Sequence, residues 1–167
     1  MKVTTRFEPA ISAANFESML AFYRDVLGMT VFSIEEMPAE RAAFAHISGT
    51  AYRLARLETE GHDRLKIVAA LQSPKLQPDV SHLLERHGFA YLTFIVPDLR
   101  AVMGRLKKAG ARLLTGPDPV PFRPGVVELA IAQDPEGNFL EFVERNDLAS
   151  YRPCETTSSS VPPNASS

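Results

Sequence analysis

Asp134-Pro135-Glu136-Gly137-Asn138-Phe139-Leu140-Glu141-Phe142 is a turn feeding an apolar strand that carries one acid. Asp, Pro and Gly at these places favour a tight turn with Gly137 at positive φ, and Phe139 to Val143 then reads as extended chain. Strand side chains alternate, so Glu141 shares a face with Phe139 and Val143 while Leu140 and Phe142 take the other. A carboxylate among apolar neighbours is costly unless a cation, a proton or hydrogen bonds compensate it. Glu141 therefore either faces a site or looks into water from an edge strand.

Working outward, the chain reads as built twice. Asn15-Phe16-Glu17-Ser18-Met19-Leu20 and Asp98-Leu99-Arg100-Ala101-Val102-Met103 each open a helix with an N-capping residue after an expected strand, and the two caps lie 83 positions apart (98 minus 15). Each helix closes near a glycine, Gly28 and Gly110, 82 apart (110 minus 28), and each glycine precedes an aliphatic run, Met29 to Ile34 and Ala111 to Leu114. Shared order and shared spacing predict a duplicated strand-helix-strand-strand-strand unit. The expected boundaries are 3–72 for the first unit, 73–87 for a linker, 88–145 for the second unit and 146–167 for a disordered tail rich in Ser, Thr and Pro.

Phe22-Tyr23-Arg24-Asp25-Val26-Leu27-Gly28, the approach Phe94-Ile95-Val96-Pro97-Asp98-Leu99 to a helix, and the DPEGNFLEF run together resemble the vicinal oxygen chelate superfamily, which includes glyoxalases, bleomycin-resistance proteins and extradiol dioxygenases. The resemblance covers Val3 to Glu144 and implies an α+β fold of two βαβββ modules whose mixed sheets curl into a cup. It also implies metal ligands projecting from the first and last strand of each module. Carried over by residue, these positions fall on Glu8, on Ala69 or Ala70, on Tyr91 and on Glu141. Function follows the residues at such a site more than the fold that carries them.

That set is poor in donors. A divalent metal in such a site wants three or four side-chain ligands, commonly His with carboxylate. Glu8 and Glu141 supply two, the neutral Tyr91 phenol is a poor third, and alanine supplies none. The expectation is thus an enzyme without a cofactor, which isomerises, cleaves or opens a small oxygenated molecule with Glu8 and Glu141 as acid and base and Tyr91 as hydrogen-bond donor. Two alternatives stand beside it: a non-catalytic protein that sequesters a ligand, and a metal-dependent lyase with a divalent ion on Glu8 and Glu141. Tyr91 shares a strand face with Thr93, and the even-numbered residues Leu92, Phe94 and Val96 are assigned to the helix side. Thr93 then joins the substrate pocket, together with His46 on an expected strand Ala42 to Ile47 and with Phe122 and Arg123 in the proline-rich loop Pro117 to Gly125.

Composition narrows the partners. The formal charge is −2 and the basic residues are scattered, so nucleic acid is not an expected partner. No run of 18 apolar residues and no signal-like start is seen, and Cys154 is the single cysteine, which together point to the cytoplasm. The expected partners are a small molecule and, in a homodimer, a second copy of the chain.

Overall fold

The computed structural model describes residues 8–45, 47–71 and 91–151. A first run of elements comprises β1 (Ala10–Ser12), α1 (Phe16–Ala21) continuing through a π-helical turn (Phe22–Val26), β2 (Thr30–Met37), α2 (Ala39–Phe44), β3 (Tyr52–Glu58) and β4 (Arg64–Ala70). The second comprises β5 (Tyr91–Ile95), α3 (Leu99–Lys108), β6 (Arg112–Leu113), β7 (Val120–Arg123), β8 (Val127–Gln133) and β9 (Phe139–Arg145), followed by α4 (Leu148–Tyr151). Sheet one has the order β1-β4-β3-β2 and sheet two β5-β9-β8-β6, with β7 also paired to β8. In both, the first strand lies parallel to the last, β1 on β4 and β5 on β9, while the remaining pairs are antiparallel. Two modules of one βαβββ plan are therefore present as an open pair of mixed sheets, the edge strand of the second being split into β6 and β7 along β8.

The duplication is closest in the last hairpin of each module. Tyr52–Glu58 and Val127–Gln133 are offset by 75 positions (127 minus 52), and so are Arg64–Ala70 and Phe139–Arg145 (139 minus 64). The intervening turns match bond for bond: Gly137 N–H donates to the Asp134 carbonyl at 3.0 Å and His62 N–H to the Thr59 carbonyl at 2.9 Å. Gly137 has φ 82°, and its counterpart His62 has φ 63°, the one non-glycine residue at positive φ among those described. Side chains close both turns, with Asp134 Oδ1 accepting from Asn138 N at 2.9 Å and Thr59 Oγ1 from Asp63 N at 3.1 Å.

The helices start where local chemistry directs. Asn15 Oδ1 accepts from Ser18 N at 3.0 Å and Asp98 Oδ1 from Ala101 N at 2.8 Å, filling donors that a helix leaves unpaired at its N-terminus. Both helices cover one face of the sheets. Met19, Leu20, Val102, Met103 and Leu106 pack with Leu65, Ile67, Ala130, Ala132, Leu140 and Phe142 in one core that runs through both modules. Leu92, Phe94 and Val96 join it, so the even-numbered side of β5 is the helix side. The rings of Phe94 and Phe142 stack at 5.5 Å.

The opening turn also joins the modules. Glu136 Oε2 and Oε1 accept from Ala14 N at 2.9 Å and Asn15 N at 2.5 Å at the start of α1, where a helix end favours an anion. Asp134, 5% exposed, accepts from the buried Tyr23 hydroxyl at 3.0 Å. Burial pushes the Asp134 carboxyl above its ordinary 3.8, against the hydrogen bonds from Asn138, Glu136 and Tyr23 that pull it down. Burial, and then the adjacent Asp134 charge, push the Tyr23 phenol well above its ordinary 10.0.

One element differs from expectation. The segment assigned to a strand from Ala42 begins instead as the helix α2, because Ala-Glu-Arg-Ala-Ala after Pro38 has strong helix formers and no β-branched residue. Ala42 is buried on Tyr52 and Leu54, with Met37 and Val68 against them. These residues alternate with the core residues of their strands, so α2 covers part of sheet one's open face. At the end of β9, Asn146 N donates to the Val126 carbonyl at 3.0 Å. The linker expected at 73–87 and the tail beyond Tyr151 lie outside the described residues.

Candidate functional site

The face opposite the helices carries Glu8, Tyr91, Thr93 and Glu141. Parallel pairing sets Tyr91 beside Phe139 and Thr93 beside Glu141. Since β9 lies between β5 and β8, Glu141 is on an interior strand, which overturns the edge-strand alternative. Thr93 Oγ1 donates to Glu141 Oε2 at 2.7 Å. The other oxygen, Oε1, and the Tyr91 hydroxyl have no hydrogen-bond partner among the described residues, and Tyr91 is 38% exposed. One oxygen of a half-buried carboxylate is thus held, and the other is open, on the face that also presents a phenol.

Register assigns the module-one counterparts. Ala10 pairs with Lys66 as Thr93 pairs with Glu141, and the 75-position offset of the last hairpin takes Glu141 to Lys66. The place expected for Ala69 or Ala70 is therefore held by Lys66. The 83-position spacing of the helices does not extend into the last hairpin, and Ala69 lies on the buried side. Glu8, two residues before Ala10, corresponds to Tyr91, two before Thr93. Glu8 Oε2 accepts an ion-pair contact from Lys66 Nζ at 2.9 Å, and Glu8 Oε1 is buried without a hydrogen-bond partner among the described residues. Glu8 is thereby committed to Lys66 and Glu141 to Thr93.

The neighbouring strands extend the contrast. Arg56 faces Lys66 across the β3–β4 pair, and Ser33 faces Arg56. Arg56 Nη1 bonds Glu35 and also reaches Ser33 Oγ at 3.3 Å. In module two the place of Arg56 is taken by Ile131, opposite Glu141. Arg64 is held by Glu58 at 2.8 Å and lies 4.0 Å from the Phe32 ring centre. Hydrogen bonds from His62 and Arg64 hold the Glu58 carboxyl below its ordinary 4.5.

Of the other expected pocket residues, Phe122 and Arg123 lie on β7, which among the described residues pairs only with β8, and both are exposed. Arg123 Nη2 is bound by Asp147 Oδ2 at 2.8 Å. His46 lies outside the described residues. A groove of about 170 Å³ between α3 and Pro117 to Pro119, lined by Met103, Lys107 and Leu113, is on the helix side, away from Glu141. Sequence reasoning missed Lys66 and Glu35. Equal hairpin lengths, visible as the common spacing of Thr59 to Asp63 and Asp134 to Asn138, were the available signal for Lys66.

A divalent ion does not fit this donor set. Lys66 is a cation already paired to Glu8 where a ligand would have to stand, and among the described residues no group of three or more His, Cys, Asp and Glu side chains is placed to hold a metal.

Among solved structures, the chain is similar to a glyoxalase family protein from Bacillus cereus, at 18% identity over 87% of this chain and 96% of that one, with a TM-score of 0.73. It is also similar to the trypanothione-dependent glyoxalase I of Leishmania major, at 18% identity over 86% and 88%, TM-score 0.60. For glyoxalase I from Zea mays the identity is 18% and the TM-score 0.63, over 83% of this chain but only 43% of that enzyme. No curated protein sequence matches the chain. These identities speak for the fold, and no helix among the described residues is long and apolar enough to cross a membrane. Residues 7–142 match the Glyoxalase/Bleomycin resistance protein/Dioxygenase superfamily, and with its two βαβββ modules the chain belongs to that superfamily.

Proposed function

We propose that the protein is an enzyme that isomerises, cleaves or ring-opens a small oxygenated molecule on its open face by acid–base chemistry, without a metal. The observation that carries this reading is Glu141, anchored through Oε2 by Thr93 and open at Oε1. A general base needs a fixed carboxylate with a reachable oxygen, and the Thr93 bond provides the fixing. Tyr91, on the same face and without a partner among the described residues, is the donor to a carbonyl or epoxide oxygen. Glu8, paired with Lys66, is the less suitable proton carrier, so Glu141 takes that role and Glu8 serves to hold the lysine. The reading includes a cytoplasmic protein, supported by its single cysteine.

A second reading has its own support. With Glu8 committed to Lys66, an acid–base pair of two carboxylates is incomplete, which favours a protein that sequesters its ligand without turnover. Glu141→Gln separates the two. On a substrate identified from small carbonyl and epoxide compounds, it keeps shape and should lower turnover by about 10²- to 10⁴-fold. Turnover unchanged in both Glu141→Gln and Tyr91→Phe overturns the acid–base reading.

A further inference from the structure

We infer that the open face of module one is a site for a small carboxylate, held between Arg56 and Lys66. This deepens the function proposed above, and it rests on that reading only in making the bound carboxylate part of the substrate.

The argument begins from register. Arg56 and Lys66 are directly opposed on adjacent antiparallel strands, and side chains so placed are neighbours whose like charges repel. The acids that pair with them stand on the outer sides, Glu35 across β2 from Arg56 and Glu8 across β1 from Lys66. The row therefore reads acid, cation, cation, acid: each cation is balanced from its outer side, and the two remain side by side at the centre. The two cationic side chains are only 28% and 30% exposed, so water has been largely removed from them as well.

Their donors are not used up. A guanidinium has five N–H donors and an ammonium three. Arg56 bonds through Nη1 alone, to Glu35 and Ser33, and Lys66 bonds Glu8. Neither Nε nor Nη2 of Arg56 has a partner among the described residues, and neither atom is sealed from solvent. Half-buried cations with unused donors call for an acceptor, and a planar carboxylate matches the guanidinium fork on one side and the ammonium on the other. The equivalent row of module two, Ile131, Glu141 and Thr93, has no cation, so the two halves divide the work: one holds an anionic group and the other presents the base.

Glycolate is a suitable probe, titrated calorimetrically into the full-length protein beside inorganic phosphate and neutral ethylene glycol. Saturable glycolate binding is expected, with no heat from ethylene glycol. It should weaken about tenfold or more in Lys66→Met and in Arg56→Met, the loss of one charged hydrogen bond. Lys66→Arg should stay within about threefold, because the charge is kept. Where Lys66→Met fails to fold for want of a partner to Glu8, the double variant Glu8→Gln with Lys66→Met supplies the same test. Absence of saturable glycolate binding, or affinity unchanged in folded Lys66 and Arg56 variants, overturns the site, and phosphate binding tighter than glycolate overturns the carboxylate assignment. Glu141→Gln keeps the two readings apart: glycolate affinity that survives it, whether or not turnover is found, upholds the site independently of the acid–base mechanism.

Discussion

The two modules share a topology, a last-hairpin length and a turn geometry, yet their open faces carry opposite chemistry. Module one presents Arg56 and Lys66 side by side between Glu35 and Glu8, while module two presents Glu141 between Ile131 and Thr93. On the helix side they remain alike: Ile67 and Phe142 occupy the same register position and are 0% and 1% exposed. The lesson is that packing constrains the covered side of each sheet, where a change in volume is felt at once, and leaves the open side to diverge. A residue's place in the duplicated plan predicts where it points but not its charge.

The sharpest way to break this comparison is to show that the covered sides are not equivalent. Ile67→Ala should cost about 2–5 kcal/mol and Phe142→Ala about 3–5 kcal/mol in urea unfolding. A cost below about 1 kcal/mol at either position would mean that its module contributes little to the common core.

Next in size is the exchange of charge. Lys66→Glu makes module one resemble module two, but it sets a second carboxylate against Glu8 and should cost about 1–3 kcal/mol, between the values for exposed and fully buried pairs. The double change Lys66→Glu with Glu8→Tyr, which puts the module-two residue types of Glu141 and Tyr91 at their module-one positions, should recover part of that loss. If the single variant is as stable as the parent, the pair is not structural.

A smaller effect tests the turn that joins the modules. Tyr23→Phe removes one donor to Asp134 and should cost about 1 kcal/mol. The pH dependence has a definite sign. Burial leaves Asp134 with a raised folded value, so the native state binds its proton more tightly than the unfolded chain does. Its contribution is fully present below the ordinary 3.8 and is lost as pH rises through the folded value. The stability of the parent relative to Asp134→Asn should accordingly decline with rising pH across that window. A difference that grows instead would contradict the burial of the acid.

Smallest is the matched pair of turn residues. Gly137→Ala should destabilise by about 0.5–1 kcal/mol through its positive φ alone, since a Cβ there would meet only Gln133 Nε2, at an ordinary 3.8 Å. His62→Gly should gain at most a few tenths of a kcal/mol, because relief at φ 63° is offset by loss of the His62–Glu58 contact at 2.9 Å. Thermal unfolding of the two variants, read together, tests whether the turns are equivalent.

Much of this molecule was legible before any coordinates. Asn15 and Asp98 announced their helices because a capping side chain bonds backbone only two or three residues away, and Gly137 announced its turn because positive φ is a local demand. Alternation likewise put Glu141 and Thr93 on the side away from Leu140 and Phe142, since that depends on strand geometry alone. The partners of those residues were another matter. That Lys66 rather than an alanine answers Glu141, that Arg56 lies beside Lys66, and that Glu136 caps a helix more than a hundred positions away depend on strand pairing and module packing. Such contacts join parts of the chain whose separation carries no periodic signal, and register decides them only once both strands are in place.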